Sequence, residues 1–272
     1  MASNQQQTGE VTSKEYWDNY WGEGTVKFPS YKLSQGIFYT YKLLLADCFD
    51  QIRSRTGRTR LKVVDCGCGE GLILRFIAEQ FEDIEVWGIE YSEAIEKARV
   101  MGDELGLQFN LVRGDLLEEW APDLQESFDA VVSFGLIEHF EQPNEIMAQM
   151  SAALAPGGAM ITVIPSFEGL FHFFWKLYDR ENYSYHIPVS LDELRELHVD
   201  TNLEAVSTYR LGVPMIPGIH NASAFWEKAL QKVIKNINGR ILRKIYPRQE
   251  SLDKQYSMVS TLAGVGFKPI RS

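Results

Sequence analysis

The run Val63-Val64-Asp65-Cys66-Gly67-Cys68-Gly69-Glu70-Gly71 sets a carboxylate at the end of an apolar stretch and follows it with glycines at alternate positions. Glycine permits backbone conformations, and a close approach of a ligand, that a Cβ forbids. The spacing departs from the dinucleotide fingerprint, because the residue three after Gly69 is Leu72 and the third glycine, Gly71, comes one position early. No Gly-Lys-Ser/Thr follows, so a phosphate-binding P-loop is excluded. Asp65 and Glu70 would repel a pyrophosphate and favour a ligand bearing an ammonium or a sulfonium.

Two further acids extend the pattern. Glu90 closes a second apolar run 19 residues after Gly71, where a carboxylate can accept from both hydroxyls of a ribose. Asp115, in Arg113-Gly114-Asp115-Leu116, can accept from an exocyclic adenine amine or cap a helix. Together the four acids describe an adenosine carrying a cationic amino-acid tail.

The elements that must position these residues alternate. Leu61–Cys66, Ile84–Glu90, Gln108–Val112, Phe128–Phe134 and Ala159–Ile164 read as strands, and Leu72–Phe81, Glu93–Leu105 and Asn144–Leu154 as helices. Strands separated by helices imply right-handed crossovers and a mainly parallel, doubly wound sheet. Ligands of such sheets bind beyond the carboxyl ends of the strands. Ahead of the first strand, Tyr16, Trp17, Tyr20 and Trp21 share one face of a short helix, and residues 34–53 form a longer one with Ser34 as cap. Later come a helix over Leu191–Val199, a strand over Leu203–Tyr209 and a final strand within Met258–Phe267, antiparallel and at or near an edge. Between those last strands an amphipathic helix carries Trp226, Leu230, Val233, Ile237 and Ile241 on one face.

Composition narrows the class. The chain has 272 residues, with 45% hydrophobic and 24% charged side chains and a formal net charge of −10, which excludes disordered, collagenous and disulfide-scaffold proteins. The acidic balance argues against nucleic acid as a partner. Cys48, Cys66 and Cys68 are too few for a disulfide framework, and their spacing suits neither a bridge nor zinc. No metal site is expected. With no basic-then-apolar start and no 18-residue apolar run, a cytoplasmic chain without a spanning helix is expected.

The Asp65–Gly71 motif, Glu90, Gly114-Asp115 and the stretch Phe134-Gly135-Leu136-Ile137-Glu138-His139-Phe140 resemble class I S-adenosylmethionine (AdoMet)-dependent methyltransferases, in particular the group acting on small molecules. The resemblance spans roughly residues 61–165. It implies a Rossmann-like doubly wound sheet of seven strands with the last antiparallel, an N-terminal helical lid, and insertions after strands five and six. The expected organisation is a single domain over 1–272: an N-terminal lid at 1–58, an AdoMet-binding core at 59–166, an aromatic lid insertion at 167–190 and a basic amphipathic insertion at 211–256. By the same likeness Asp65, Gly67, Cys68, Gly69 and Gly71 hold the methionine portion and Glu90 the ribose. Asp115 and Leu116 hold the adenine with Tyr91 packed on it, and Ser133 and Phe134 line the side near the sulfur. The product would be S-adenosylhomocysteine, and the two motif cysteines need no redox role.

The family's amino-methylating nucleic-acid and protein enzymes carry an Asn/Asp-Pro-Pro-Tyr type motif after the fourth strand, where this chain has Ser133-Phe134-Gly135-Leu136. The expected acceptor is therefore a nitrogen or oxygen of a small metabolite, aromatic or bearing an amine or guanidine. More than half of the aromatic side chains fall within 1–41 and 167–186, the segments expected to form the lid. Tyr16, Trp17, Tyr20, Trp21, Phe171, Trp175, Tyr185 and His186 are the candidate acceptor wall, which suits a planar ring or a cation held by its π-faces. His139, His172 and Glu138 are the candidate acid–base groups. Residues 224–254 carry eight basic against three acidic side chains. Such a helix either packs by its apolar face or lies weakly on an anionic membrane. A membrane-associated methyltransferase of lipids or quinones is thus one alternative, and a non-catalytic AdoMet-binding or partner-binding module is another.

Overall fold

The computed structural model describes residues 12–21, 29–33, 36–118, 120–214, 216, 225–257 and 259–270. Helix α1 (Lys14–Trp21) and the long α2 (Ile37–Thr56) precede the sheet. There follow β1 (Leu61–Cys66), α3 (Leu72–Gln80), β2 (Ile84–Glu90), α4 (Ala94–Leu105), β3 (Phe109–Arg113), β4 (Phe128–Phe134), α5 (Pro143–Ala153) and β5 (Leu154–Pro165). After β5 come α6 (Gly169–Tyr178), α7 (Arg180–Ser184), α8 (Leu191–Asp200) and β6 (Glu204–Leu211), then α9 (Phe225–Asn236) and β7 (Thr261–Phe267). Ser34, the expected cap of α2, lies outside the described residues; the position before the helix is Gly36, at φ +84°.

The seven strands pair in the order β3-β2-β1-β4-β5-β7-β6. The first five run parallel, and β7 is antiparallel to both β5 and β6. The late strand therefore lies one position in from the edge, and β6 is the edge strand. Strand order reverses at β1, which pairs with β2 on one side and β4 on the other, so the crevice beyond Asp65 is a topological switch point.

Both faces of the sheet are covered, which is why β1 and β4 read as continuous apolar runs rather than alternating ones. On one face Leu44, Leu45, Phe49 and Ile52 of α2 and Phe76 of α3 pack on Val63, Val132 and Ile161. On the other, Ile146, Met147 and Met150 of α5 pack with Val64, Ile89, Val131 and Met160. Strand β5 begins five residues earlier than its apolar run suggests, because Pro156-Gly157-Gly158 reads as a turn. Gly157, at φ +80°, continues the strand where a Cβ would stand 2.7 Å from Cγ2 of Thr56.

Helix α9 departs from simple packing. Ile234 is its buried residue, whereas Phe225 is 88% and Trp226 60% exposed, and Val233, Ile241 and Ile245 are also exposed. The helix runs on through a wider turn over Ile237–Leu242. Among the described residues no helix is long and apolar enough to cross a membrane.

Candidate functional site

A cavity of about 620 Å³ opens beyond the carboxyl ends of β1, β2 and β4, and α1 lies across it. Its wall on the glycine side is built by backbone. The amides of Gly67 and Cys68 both donate to the carbonyl of Ile89, at 2.9 and 3.1 Å, which folds the turn after β1 onto β2. Gly67 and Gly69 take positive φ, +70° and +50°, a conformation costly for a residue with a Cβ.

Glu90 is held by the same turn: the amide of Gly69 donates to Oε2 at 3.0 Å and that of Ser92 to Oε1 at 2.8 Å. Each oxygen keeps a second lone pair for a ligand. Asp65 is 2% exposed and lines the cavity, and its Oδ1 has no hydrogen-bond partner among the described residues. Burial, reinforced by Glu90, holds its carboxyl well above the usual carboxylate range. Glu70 also lines the cavity, but Lys97 neutralises it at 2.7 Å and reaches the carbonyl of Trp21 as well. Asp115 accepts from the amide of Leu117 through Oδ1, at 2.9 Å; with Leu116 and Tyr91 it lines the far end. Burial pushes the thiols of Cys66 and Cys68 up, as befits packing rather than reactive cysteines.

The opposite wall comes from the turn after β4 and the chain after α7. Glu138 is fully buried, and neither carboxylate oxygen has a partner among the described residues; burial raises it to about 8. Nδ1 of His139 lies 2.8 Å from the carbonyl oxygen of Tyr185. Burial and the neighbouring His186 depress His139 to about 3. Above it the indole of Trp17 meets the imidazole edge-on at 4.9 Å, and Nε1 of Trp17 donates to Oγ1 of Thr12 at 3.0 Å.

The structure gathers most of the expected positions but not all. Asp65, Gly67, Cys68, Gly69, Glu90, Tyr91, Asp115, Leu116 and Phe134 share the cavity wall with Glu138, His139, Tyr16, Trp17, Tyr20, Trp21, Trp175 and His186. Gly71 stands apart, at φ +83° where α3 begins, and a Cβ there would stand 2.9 Å from Cβ of Ala98. It serves the contact of α3 with α4. Ser133 is buried within β4, away from the wall. His172 also lies off the wall, with Nδ1 at 3.4 Å from the hydroxyl of Tyr183. Tyr185 acts through its carbonyl, while its ring rests on Tyr16 at 4.5 Å. The side chain of Phe171 lies outside the described residues. Tyr41 of α2, Asn182 and Thr261 line the cavity without having been expected there. Tyr41 falls within the apolar stripe of α2 and reads as core, Asn182 sits in a segment with no periodic signal, and Thr261 reads only as part of the final strand.

The order of the sheet with its antiparallel β7, the glycine turn after β1 and the acids ending β1 and β2 define a class I AdoMet-dependent methyltransferase fold. In agreement, residues 63–158 match the family model described as a methyltransferase domain. The biotin biosynthesis bifunctional protein BioHC of Teredinibacter turnerae is 28% identical over 57% of this chain and 28% of its own length. A ubiquinone biosynthesis O-methyltransferase of Maricaulis maris is 31% identical over 37% of this chain and 39% of its own. The chain thus spans well under half of these curated relatives. A SAM-dependent methyltransferase from Archaeoglobus fulgidus superposes with a TM-score of 0.54 at 17% identity, covering 85% of this chain and 94% of that one.

AdoMet is the methyl donor of that class, and the residues present fit it. A buried carboxyl oxygen without a partner among the described residues suits an ammonium, and Glu90 offers acceptors to vicinal hydroxyls.

Proposed function

We propose that the protein transfers a methyl group from AdoMet to a nitrogen or oxygen of a small planar acceptor. One observation carries this reading: the donor-side acids and the aromatic lid face the same cavity. When bound, AdoMet supplies a methyl group activated by its sulfonium. Asp65 takes the ammonium of the methionine portion, Glu90 the ribose hydroxyls, and Asp115 with Leu116 the adenine, against which Tyr91 packs. Phe134 and Gly135 border the sulfur.

The remaining residues position the acceptor and exclude water. Much of the acceleration of an in-line displacement comes from holding the nucleophile against the methyl carbon in a dry site. Tyr16, Trp17, Tyr20 and Trp175 supply flat apolar walls for that purpose, while Glu138, His139 and His186 supply the polar contacts. An amine needs only to arrive unprotonated, whereas a hydroxyl must lose its proton.

Calorimetry should detect AdoMet binding, and methyl-labelled AdoMet incubated with fractionated metabolites should yield a labelled product identifiable by mass spectrometry. Absence of AdoMet binding overturns the reading. Binding without any release of S-adenosylhomocysteine would leave a non-catalytic binding module instead.

The exposed face of α9 favours a second reading, in which the acceptor is a lipid or quinone met at a membrane. Phe225, Trp226, Val233, Ile241 and Ile245 are exposed on a segment that also carries Lys228, Lys232, Lys235, Arg240 and Lys244. That combination suits an anionic bilayer surface. Co-sedimentation with phosphatidylserine vesicles at low salt, lost in high salt, is the expected result, and no binding at low salt removes it.

A further inference from the structure

We propose that Glu138, His139 and His186 form a divalent-metal site within the acceptor side of the cavity, and that the metal takes up a hydroxyl oxygen of the acceptor. The proposal rests on the reading of this cavity as a methyl-transfer site and narrows its acceptor to oxygen. One ligand atom from each residue lies within 4.8 Å of the other two, and all three residues line the cavity.

Hydrogen bonding sets the tautomers. Nδ1 of His139 is 2.8 Å from the carbonyl of Tyr185, and Nδ1 of His186 is 2.8 Å from that of Asn182. A carbonyl only accepts, so both Nδ1 atoms carry the proton and both Nε2 atoms present a lone pair. Backbone carbonyls behind ligating histidines are the usual means of fixing ring and tautomer at metal sites. Beside the two rings, which touch each other at 4.6 Å, lies the fully buried carboxyl of Glu138, with neither oxygen partnered among the described residues. A buried carboxyl without a partner is costly, and a cation would supply the missing one.

The backbone holds the three together. The amide of Ile187 donates to the carbonyl of Glu138 at 2.7 Å, and that of His186 to Tyr183 at 3.2 Å. The segment after α7 is thereby tied to the turn after β4. Bound ligands stand closer than 4.8 Å: metal–ligand bonds of about 2.0–2.2 Å put them roughly 3–3.5 Å apart, so small side-chain rotations close the site on the ion.

Two imidazoles and one carboxylate suit Zn²⁺, Mn²⁺, Fe²⁺ or Co²⁺. Three protein ligands leave open positions for the substrate. An acceptor with two adjacent oxygens, such as a catechol or an enediol, would occupy two of them. Coordination lowers the pKa of the bound hydroxyl. Its O–H bond breaks with the proton released to solvent, and an oxygen lone pair then forms the O–CH₃ bond. The S–CH₃ pair stays on sulfur, giving S-adenosylhomocysteine, and the metal is unchanged.

The test uses the full chain, stripped with a chelator and titrated with Co²⁺. One equivalent should bind with visible d–d bands, and adding catechol should shift those bands. Glu138→Gln and His186→Gln should each weaken Co²⁺ at least ~10-fold, with circular dichroism and AdoMet affinity unchanged. No saturable Co²⁺ binding, or equal binding by wild type and both variants, overturns the metal site. Co²⁺ binding without a catechol-induced shift overturns the oxygen-acceptor half. Calorimetry with AdoMet alone reads the methyl-transfer proposal separately, so the two can fail independently.

Discussion

The indole of Trp21 lies against the backbone of Gly69, so closely that a Cβ at that glycine would stand 2.9 Å from Cζ2 of the ring. The last residue of α1 therefore touches the glycine turn after β1, which we propose holds the donor.

Gly69→Ala should accordingly weaken AdoMet by about 10-fold or more. The new Cβ meets the indole, and its positive φ adds roughly 1 kcal/mol. Trp21→Ala in the same chain should recover part of the loss, since the two share one contact. Calorimetric titration of the wild type, the two single variants and the double variant measures this coupling; strictly additive losses would contradict it.

Asp65→Ala should separate binding from stability. Removing a buried charged partner of a ligand costs about 2–5 kcal/mol, so AdoMet affinity should fall at least ~30-fold. Folding should not suffer, because the carboxyl removed has a buried oxygen without a partner and is costly to keep there. Thermal melting should show an equal or higher Tm.

Trp17 and His172 should behave differently, although both belong to aromatic segments. Trp17 lines the cavity and covers His139; Trp17→Ala should raise the acceptor KM several-fold, the worth of one aromatic contact, with AdoMet affinity intact. His172 pairs with Tyr183 outside the wall, so His172→Ala should leave both constants within about twofold in steady-state assays, surface changes being nearly neutral.

His198 gives the fold an acid limit. It is fully buried, with Nδ1 at 2.9 Å from the carbonyl of Leu194 and Nε2 at 3.3 Å from Oγ1 of Thr162, and burial lowers it from 6.5 to about 4. The unfolded chain binds its proton below 6.5 and the folded chain only near 4. Its contribution is thus complete above pH 6.5 and is lost as pH falls toward 4, by about 3 kcal/mol in all. His198→Gln should flatten the acid limb of a plot of Tm against pH without abolishing it, because buried His139 acts with the same sign.

The same ring explains a glycine in a strand. A Cβ on Gly264 of β7 would fall 2.4 Å from Cε1 of His198. Gly264→Ala should destabilise by ~1–3 kcal/mol, the usual cost of overpacking, as read by urea denaturation.

The sheet was legible where residues near in sequence decide it. The apolar runs ending in Cys66, Glu90 and Phe134 bound β1, β2 and β4 as observed, since strands buried on both faces show no alternation to misread. Asp65 and Glu90 follow from the same logic, for both end strands at the switch point. What was not legible depends on pairing between distant segments. His186 meets Glu138 because the chain after α7 returns over the turn after β4, and nothing in the spacing of His172 and His186 shows which of them faces inward. The exposure of α9 was equally hidden, since an amphipathic pattern reveals a face and not its partner.

The position of β7 has a consequence for synthesis. β6 leaves the ribosome before β7, yet β7 is the strand that joins β6 to the sheet. A chain translated only as far as α9 holds β5 as an open edge, with β6 unpaired beside it. Thr261, which begins β7 and lines the cavity, arrives with that closing step. Segments exposed this way are prone to misassembly and aggregation.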